Sequence, residues 1–355
     1  MTQSGHRVAY QTSRCVLAFA AWSWPGRHMR RREFISLLGD TVAWPFTARA
    51  QQPAMPVVGY LGAETPELFA IRLTAFRQGL SEMGYEEGRN VIVEYRWANG
   101  QNDRLPALAA DLVNRKVAVI AVPGSGFAAL AAKDATKTIP IVFEIGLDPV
   151  TSGLVRSLAR PEGNVTGITS LNLDVAPKGA ELLHELIPQA KSFAALINPA
   201  NPVTSGIITK GLEGPSRALG IQLHLLKAGT ETDFEAVFAK LAQLGVGGLI
   251  LGGDTVFNTR GPQLAALTLK YAVPAVHTVR EFAASGGLMS YGGNIKDTHR
   301  QAGIYTGRIL KGEKPADLPV QQATKVELCI NLKTAKALGI TVPLPLSGRA
   351  DELFE

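Results

Sequence analysis

From Met55 onward the chain alternates short runs rich in β-branched residues with segments whose apolar positions recur every three or four residues, and this alternation constrains the fold most. A strand that reads as a continuous apolar run is buried on both faces, and it needs a helical crossover to reach a parallel neighbour. PVVGYLG (Pro56 to Gly62) is the first such strand. Thr65 then caps a helix, Pro66 takes its first position, Phe69, Leu73, Phe76, Leu80 and Met83 form one apolar face, and Gly84 stops it. VIVEYRW, VAVIAV and IPIVFEI follow as strands, with helices over RLPALAADLV and FAALAAKDA between them. This is one doubly wound lobe.

The passage LARPEGNVTG leads to a second series, beginning with VTGITS and continuing through SFAALIN, IQLHLL, GGLILGG and PAVHTV. Thr232 and Glu235 form a capping box for a helix whose face is Phe234, Val237, Phe238 and Leu241 and whose end is Gly245. Further on, GGLMSYGG reads as strand and loop, DTHRQAGIYTGRILKG as a helix, and TKVELCINLKTAKALGI as a strand then a helix. These pieces return to the first lobe and cross again. The expected fold is α/β: two doubly wound parallel-sheet lobes with a central cleft and multiple hinge crossings. The expected boundaries are 56–165 plus about 285–320 for the first lobe, and 166–280 plus about 321–355 for the second. No fixed repeat period indicates a solenoid.

Ahead of these lobes, MRRREFISLLG places Arg30, Arg31 and Arg32 before a short apolar run that ends in Thr47, Ala48, Arg49, Ala50. A charged segment, an apolar run of about a dozen residues and an Ala-x-Ala site describe a removable export leader, too short to span a bilayer. Arg31 to Ile35 also matches the twin-arginine pattern, although Arg30 stands where Ser or Thr is preferred. A basic tail is the alternative, and it has no need of the Ala-x-Ala site. The expected leader is residues 1–50, with 1–28 read as either an upstream-start artefact or a long charged segment, and the expected location is periplasmic, by the twin-arginine or the general secretory route.

The leader also disposes of the charge. Whole, the chain carries 36 Lys+Arg against 30 Asp+Glu; beyond residue 50 there remain 29 basic and 28 acidic residues. With no clustered basic stripe, a nucleic-acid partner is rejected. Beyond the leader Cys329 stands alone in VELCINL, a buried core thiol, so no intramolecular disulfide forms. His184, His224, His277 and His299 fall singly, without metal-ligand spacing, and read as surface or capping residues.

From Met29 to the C-terminus the chain resembles the periplasmic-type substrate-binding proteins of ABC transporters related to the tryptophan-binding component. The resemblance rests on VVGYLG, FRQGLSEMGYEEGRNVIVEYRWANGQNDRLPALAADLV, TIPIVFEIGLDPVTSGLV, RPEGNVTGITS, LLHELIP, INPANP, GGLMSYGGN, ILKGEKPADLPVQQATKVELCINLKTAKALGITVP and ADELFE. It implies the type I periplasmic binding fold with three crossings and capture of an amino acid, aromatic or branched, by hinge closure. It also implies delivery to an ABC permease with its ATPase, with no catalysis and no cofactor. Asp40 departs from the usual leader, where small apolar residues are common.

Ligands of open α/β sheets settle beyond the carboxyl ends of the strands. After VAVIAV, Gly124 and Gly126 permit close backbone approach, Ser125 offers a hydroxyl, and the helix opening near Phe127 presents free N–H groups to a carboxylate; a tight turn is the alternative role of these glycines. Glu144, Asp148 and Asp254 are acids at strand ends, one of which is expected to meet an ammonium group. Asp148 also suits a turn before Pro149, and Asp254 a helix cap. Tyr60, Phe127, Phe257 and Tyr291 suggest aromatic walls, with core packing the other reading, and Asn198 of INPANP is either a donor of the second lobe or an Asn-Pro turn. A rival reading remains: Gly124-Ser125-Gly126-Phe127-Ala128-Ala129 fits G-x-G-x-x-A, and Glu144 follows twenty residues later as a ribose-binding acid would. That rival is an exported NAD-dependent oxidoreductase. Against it, the motif follows the third strand rather than the first, and no acid/base for hydride transfer is visible.

Overall fold

The computed structural model describes residues 55–170, 172–323 and 325–355, so the leader lies outside the described residues. The first lobe is built on β1 (Val57–Gly62), β2 (Ile92–Trp97), β3 (Val119–Pro123), β4 (Ile141–Ile145) and β5 (Val165–Thr169), all parallel. Their order is β2-β1-β3-β4-β5, and a strand from far down the chain, Gln321–Gln322, adds beside β5. Helices α1 (Ala70–Glu82), α2 (Leu105–Asn114) and α3 (Gly126–Ala135) connect the strands. Alternate strand residues sort to two cores. Leu61, Ile120, Val122 and Phe143 pack with α2 and α3 residues, whereas Val58, Tyr60, Val119 and Val142 pack with α1.

The second lobe runs α4 (Ala176–Leu186), β6 (Ser192–Ile197), α5 (Pro202–Ala218), β7 (Gln222–Lys227), α6 (Phe234–Leu244), β8 (Gly248–Leu251), α7 (Thr255–Thr259), α8 (Gly261–Lys270), β9 (Ala275–His277), α9 (Arg280–Ala284) and β10 (Met289–Gly293). From there α10 (Ile295–Leu310) crosses back and packs on the first lobe, followed by the added strand, now β11. The chain crosses again to β12 (Val326–Asn331), α11 (Leu332–Ala337), α12 (Leu344–Ser347) and β13 (Glu352–Phe354). The second sheet is ordered β13-β12-β10-β9-β8-β6-β7, parallel except where β10 meets β12. Three crossings join the lobes: after β5, between β10 and α10, and between β11 and β12.

Three strands fall on the other side of the expected boundaries, one of them β11, which starts at the boundary of about 321 and pairs with β5 in the first sheet. VTGITS, read as the start of the second lobe, is β5 of the first sheet. Gly167 lies opposite Phe143, whose carbonyl oxygen would stand 2.1 Å from any Cβ there, so the missing side chain admits the pairing. Conversely β10, placed in the first lobe, pairs with β9 and β12, and Leu288 and Met289 fill the second core. Pairing is a non-local choice that hydropathy does not encode. Helix starts also shift. Thr65 anchors a turn through Leu68 N–H and Phe69 N–H, so α1 begins at Ala70. The capping box is formed by Thr230 and Asp233 at a 3-10 turn ahead of α6, not by Thr232 and Glu235. Gly245 does end α6, in the left-handed conformation.

Among the described residues no helix is long and apolar enough to cross a membrane. The strand order reverses between β1 and β3 in one lobe and between β6 and β8 in the other, and both reversal points open on the same space.

Candidate functional site

That space is a cavity of about 240 Å³. The first lobe walls it with Arg72, the start of α3, Glu144 and the loop carrying Leu147, Thr151 and Ser152. The second lobe supplies Asn201, Val203 and Thr204 at the start of α5, and Gly253 to Thr255 with Asn258 around α7. Asn172, Leu173 and Ile295 enter from the crossings.

At α3 the backbone turns through Gly124, whose φ of 99° is left-handed and where a Cβ would lie 2.8 Å from the Phe69 ring. Ser125 is the N-cap: its Oγ accepts from Ala128 N–H at 3.3 Å and its carbonyl from Ala129 N–H at 3.1 Å. The amides of Gly126 and Phe127 are left without a protein acceptor among the described residues, at the positive end of the helix.

Arg72 projects from α1 and stacks over Phe69, with Cζ 4.9 Å from the ring centroid. Its guanidinium bonds to no described residue, and enclosure lowers its pKa while leaving it a cation. Glu144, at the end of β4, is 3% exposed. Burial pushes its carboxyl up to about 7, and Arg72, then Thr298 and Ser170, oppose that rise. Thr298 Oγ1 donates to Glu144 Oε1 at 3.1 Å.

Across the cavity, Asp254 caps α7 and is held by three donors. Asn198 Nδ2 and Val256 N–H reach Oδ1, both at 3.0 Å, and Asn201 Nδ2 reaches Oδ2 at 2.8 Å. One carboxylate lone pair stays open for a further donor. Two cavity-lining atoms are enclosed without a partner among the described residues: Asn258 Oδ1 from the second lobe and Ser152 Oγ from the first. Polar atoms so enclosed are costly unless something else bonds them. The lobes also touch directly: Thr255 Oγ1 donates to the Gly124 carbonyl at 3.1 Å, and Arg260 Nη1 lies 3.5 Å from Oε2 of buried Glu64.

Of the residues singled out from sequence, Gly124, Ser125, Gly126, Phe127, Glu144 and Asp254 share this cavity. Asn198 lies behind it, orienting Asp254. Tyr60 does not reach it: the strand's alternation turns the ring into the α1 core, between Phe76, Tyr95 and Trp97. Phe257 likewise packs on Phe234 inside the second lobe, and Tyr291 against that lobe's core. Asp148 accepts from Val150 N–H at 2.8 Å in a local turn of the kind an Asx-Pro sequence favours. His277 and His299 are buried, not surface residues: Nδ1 of His277 accepts from Thr278 N–H at 2.7 Å, and Nδ1 of His299 pairs with the Ile295 carbonyl at 2.8 Å. Cys329 is a buried free thiol. Arg72, Ser152, Asn201, Thr255 and Asn258 were not anticipated. Arg72 had a signal: it falls on the same helical face as Phe69, Leu73 and Phe76, where a charge is out of place.

A sequence model of ABC transporter substrate binding proteins matches residues 63–354. The chain belongs to that family. Among relatives of this substrate-binding protein, one named tyrosine-binding protein, from Clostridioides difficile (strain R20291), is 29% identical over 272 residues, 74% of this chain and 75% of the relative. An ABC domain from Streptococcus pneumoniae, solved in complex with L-Trp, superimposes with a TM-score of 0.76 at 23% identity, covering 84% of this chain and 99% of the other. A ligand-free, open substrate-binding protein from Clostridium difficile gives 0.60 at the same identity and the same coverage. The substrate-binding protein thus has the type I periplasmic binding fold.

Proposed function

We propose that this substrate-binding protein captures an amino acid, aromatic or branched, for an ABC importer outside the cytoplasmic membrane and presents it, lobes closed, to the permease. The observation that carries this reading is the charge arrangement of the cavity. A guanidinium that bonds to no described residue and two open helix amides stand on one lobe, and an anion with an open lone pair stands on the other. A zwitterion spans that gap, its carboxylate on Arg72 and the α3 amides, its ammonium on Asp254 and Asn258. Two or three charge-assisted bonds at about 1.5–3 kcal/mol each approach the roughly 8 kcal/mol of micromolar binding. Phe127, Leu130, Leu147 and Val203 offer the ligand side chain an apolar surface.

Closure is supported by the higher TM-score against the L-Trp complex, 0.76, than against the open relative, 0.60. The names of two relatives, one for tyrosine and one with bound L-Trp, support the amino-acid class. Ligand shifts such a two-lobed protein toward the closed form by its higher affinity for it. Against the oxidoreductase stands a cavity of about 240 Å³, below the roughly 300–1,000 Å³ of sites for drug-sized ligands and tight for a dinucleotide.

Thermal shift of the purified protein with the twenty amino acids, NAD and NADP tests the reading. A raised melting temperature with one or a few aromatic or branched amino acids is expected. Stabilisation by NAD or NADP, with none by any amino acid, would overturn it.

A further inference from the structure

Glu144 is the one carboxyl of the cavity that the amino-acid reading leaves without a task, and the inference here rests on that reading. Arg72 faces Glu144 from α1, Thr298 and His299 from α10, Tyr60 from β1, and Ser170 from the crossing after β5. Its flanking strands β3 and β5 carry no charged side chain. His299 Nδ1 lies 3.5 Å from Glu144 Oε2, but it is engaged by the Ile295 carbonyl and burial holds the imidazole near a pKa of about 3, hence neutral. Tyr60 is a buried phenol that burial keeps protonated. Glu64 and Glu281 act on Arg72 at longer range. Arg72 is therefore the one cation facing Glu144 among the described residues.

We propose that Glu144 is the exchangeable counter-ion of Arg72: the ligand's carboxylate takes over the guanidinium, Glu144 takes a proton from solvent, and capture of an amino acid is thereby coupled to proton uptake. Two ionised carboxylates beside one guanidinium in a desolvated cleft repel each other, so one takes up a proton. The ligand's carboxylate has the lower intrinsic pKa and keeps its charge. Glu144 already sits at about 7 before ligand arrives, because burial outweighs Arg72. A second negative charge raises it further, and the protonated carboxyl becomes a donor toward the ligand. Linkage fixes the sign: binding that takes up a proton tightens as pH falls and weakens as pH rises above 7.

Isothermal calorimetry with L-tyrosine and L-tryptophan at pH 7.5, in two buffers of very different ionisation enthalpy, reads the coupling directly. The heats are expected to differ by the uptake of a substantial fraction of one proton per ligand, and wild-type affinity to fall several-fold between pH 6 and pH 8. Glu144→Gln, which mimics the protonated acid, is expected to lose the buffer dependence and to bind more tightly than wild type at pH 8. Buffer-independent heats in the wild type, or an uptake that survives Glu144→Gln, would overturn the coupling while leaving the amino-acid reading in place. Absence of binding by any aromatic or branched amino acid to folded protein would remove that reading and the coupling with it. The wild-type measurement alone suffices if the variant does not fold.

Discussion

Arg72 shows how far one residue's role depends on its surroundings. On a surface helix an arginine is unremarkable; here it rests on Phe69, faces a buried carboxyl and bonds to no described group. Arg72→Gln is expected to lower amino-acid affinity at least tenfold, in line with about 1.5–3 kcal/mol for a bond to a charged group, with the melting temperature little changed. Titration calorimetry checks the first part and thermal unfolding the second. Glu144 makes a prediction of the opposite kind. Its folded pKa, about 7, lies above the ordinary 4.5, so its contribution to stability is complete below pH 4.5 and is lost as pH rises through 7. Glu144→Gln should therefore stabilise the ligand-free protein at pH 8, by on the order of 2–3 kcal/mol, and change it little near pH 4.5. Equal effects at both pH values would show that desolvation of the charge is not the cause. Ser125, Glu144 and Asp254 were legible as strand-end residues. Tyr60 and Tyr291 were misread because proximity to a strand end says nothing about which face a side chain takes.

Elements owe their placement to close approaches that composition does not advertise. Helices α1 and α10 cross with backbone against backbone: a Cβ at Gly79 would stand 1.9 Å from the Arg300 carbonyl oxygen, and one at Gly303 would stand 2.1 Å from that of Phe76. This contact seats α10 on the first lobe, and with it Thr298 and His299 beside Glu144. Gly79→Ala or Gly303→Ala should force the helices apart and destabilise by about 1–3 kcal/mol or more, measured by denaturant unfolding. The lobes meet through Arg260 and Glu64, where burial first raises the Glu64 pKa and Arg260 then opposes it. Removing the cation leaves the buried Glu64 carboxyl without its partner from the facing lobe. Arg260→Gln should thus shift the population toward an open form, seen as a larger radius of gyration without ligand and a several-fold weaker affinity. An unchanged scattering profile would deny the pair any part in closure. Most helices could be read from their period, whereas α1 and α6 began at other residues because local turns claimed Thr65 and Thr230 first.

At the scale of the whole molecule, stability and pH are linked through groups the site does not share. His277 and His299 are held near a pKa of about 3 by burial, well below the ordinary 6.5. Each contributes stability that is present above pH 6.5 and lost as pH falls from there toward 3. Two buried imidazoles outweigh the single carboxyl of Glu144, whose effect has the opposite sign. The melting temperature should therefore fall between pH 6.5 and pH 4, and a profile that rises over that window would contradict this account. Much about this protein was decided by the sequence alone: strands and helices, the two-lobed α/β class, the family likeness, and the glycine turn at the start of α3. Each depends on periodicity or on residues adjacent in the chain. The tertiary structure decided which lobe receives β5 and β10, which side of β1 carries Tyr60, and that Arg72, Glu144, Asp254 and Asn258 surround one cavity. Strand pairing and side-chain direction bring together residues more than a hundred positions apart, and no local pattern encodes those distances.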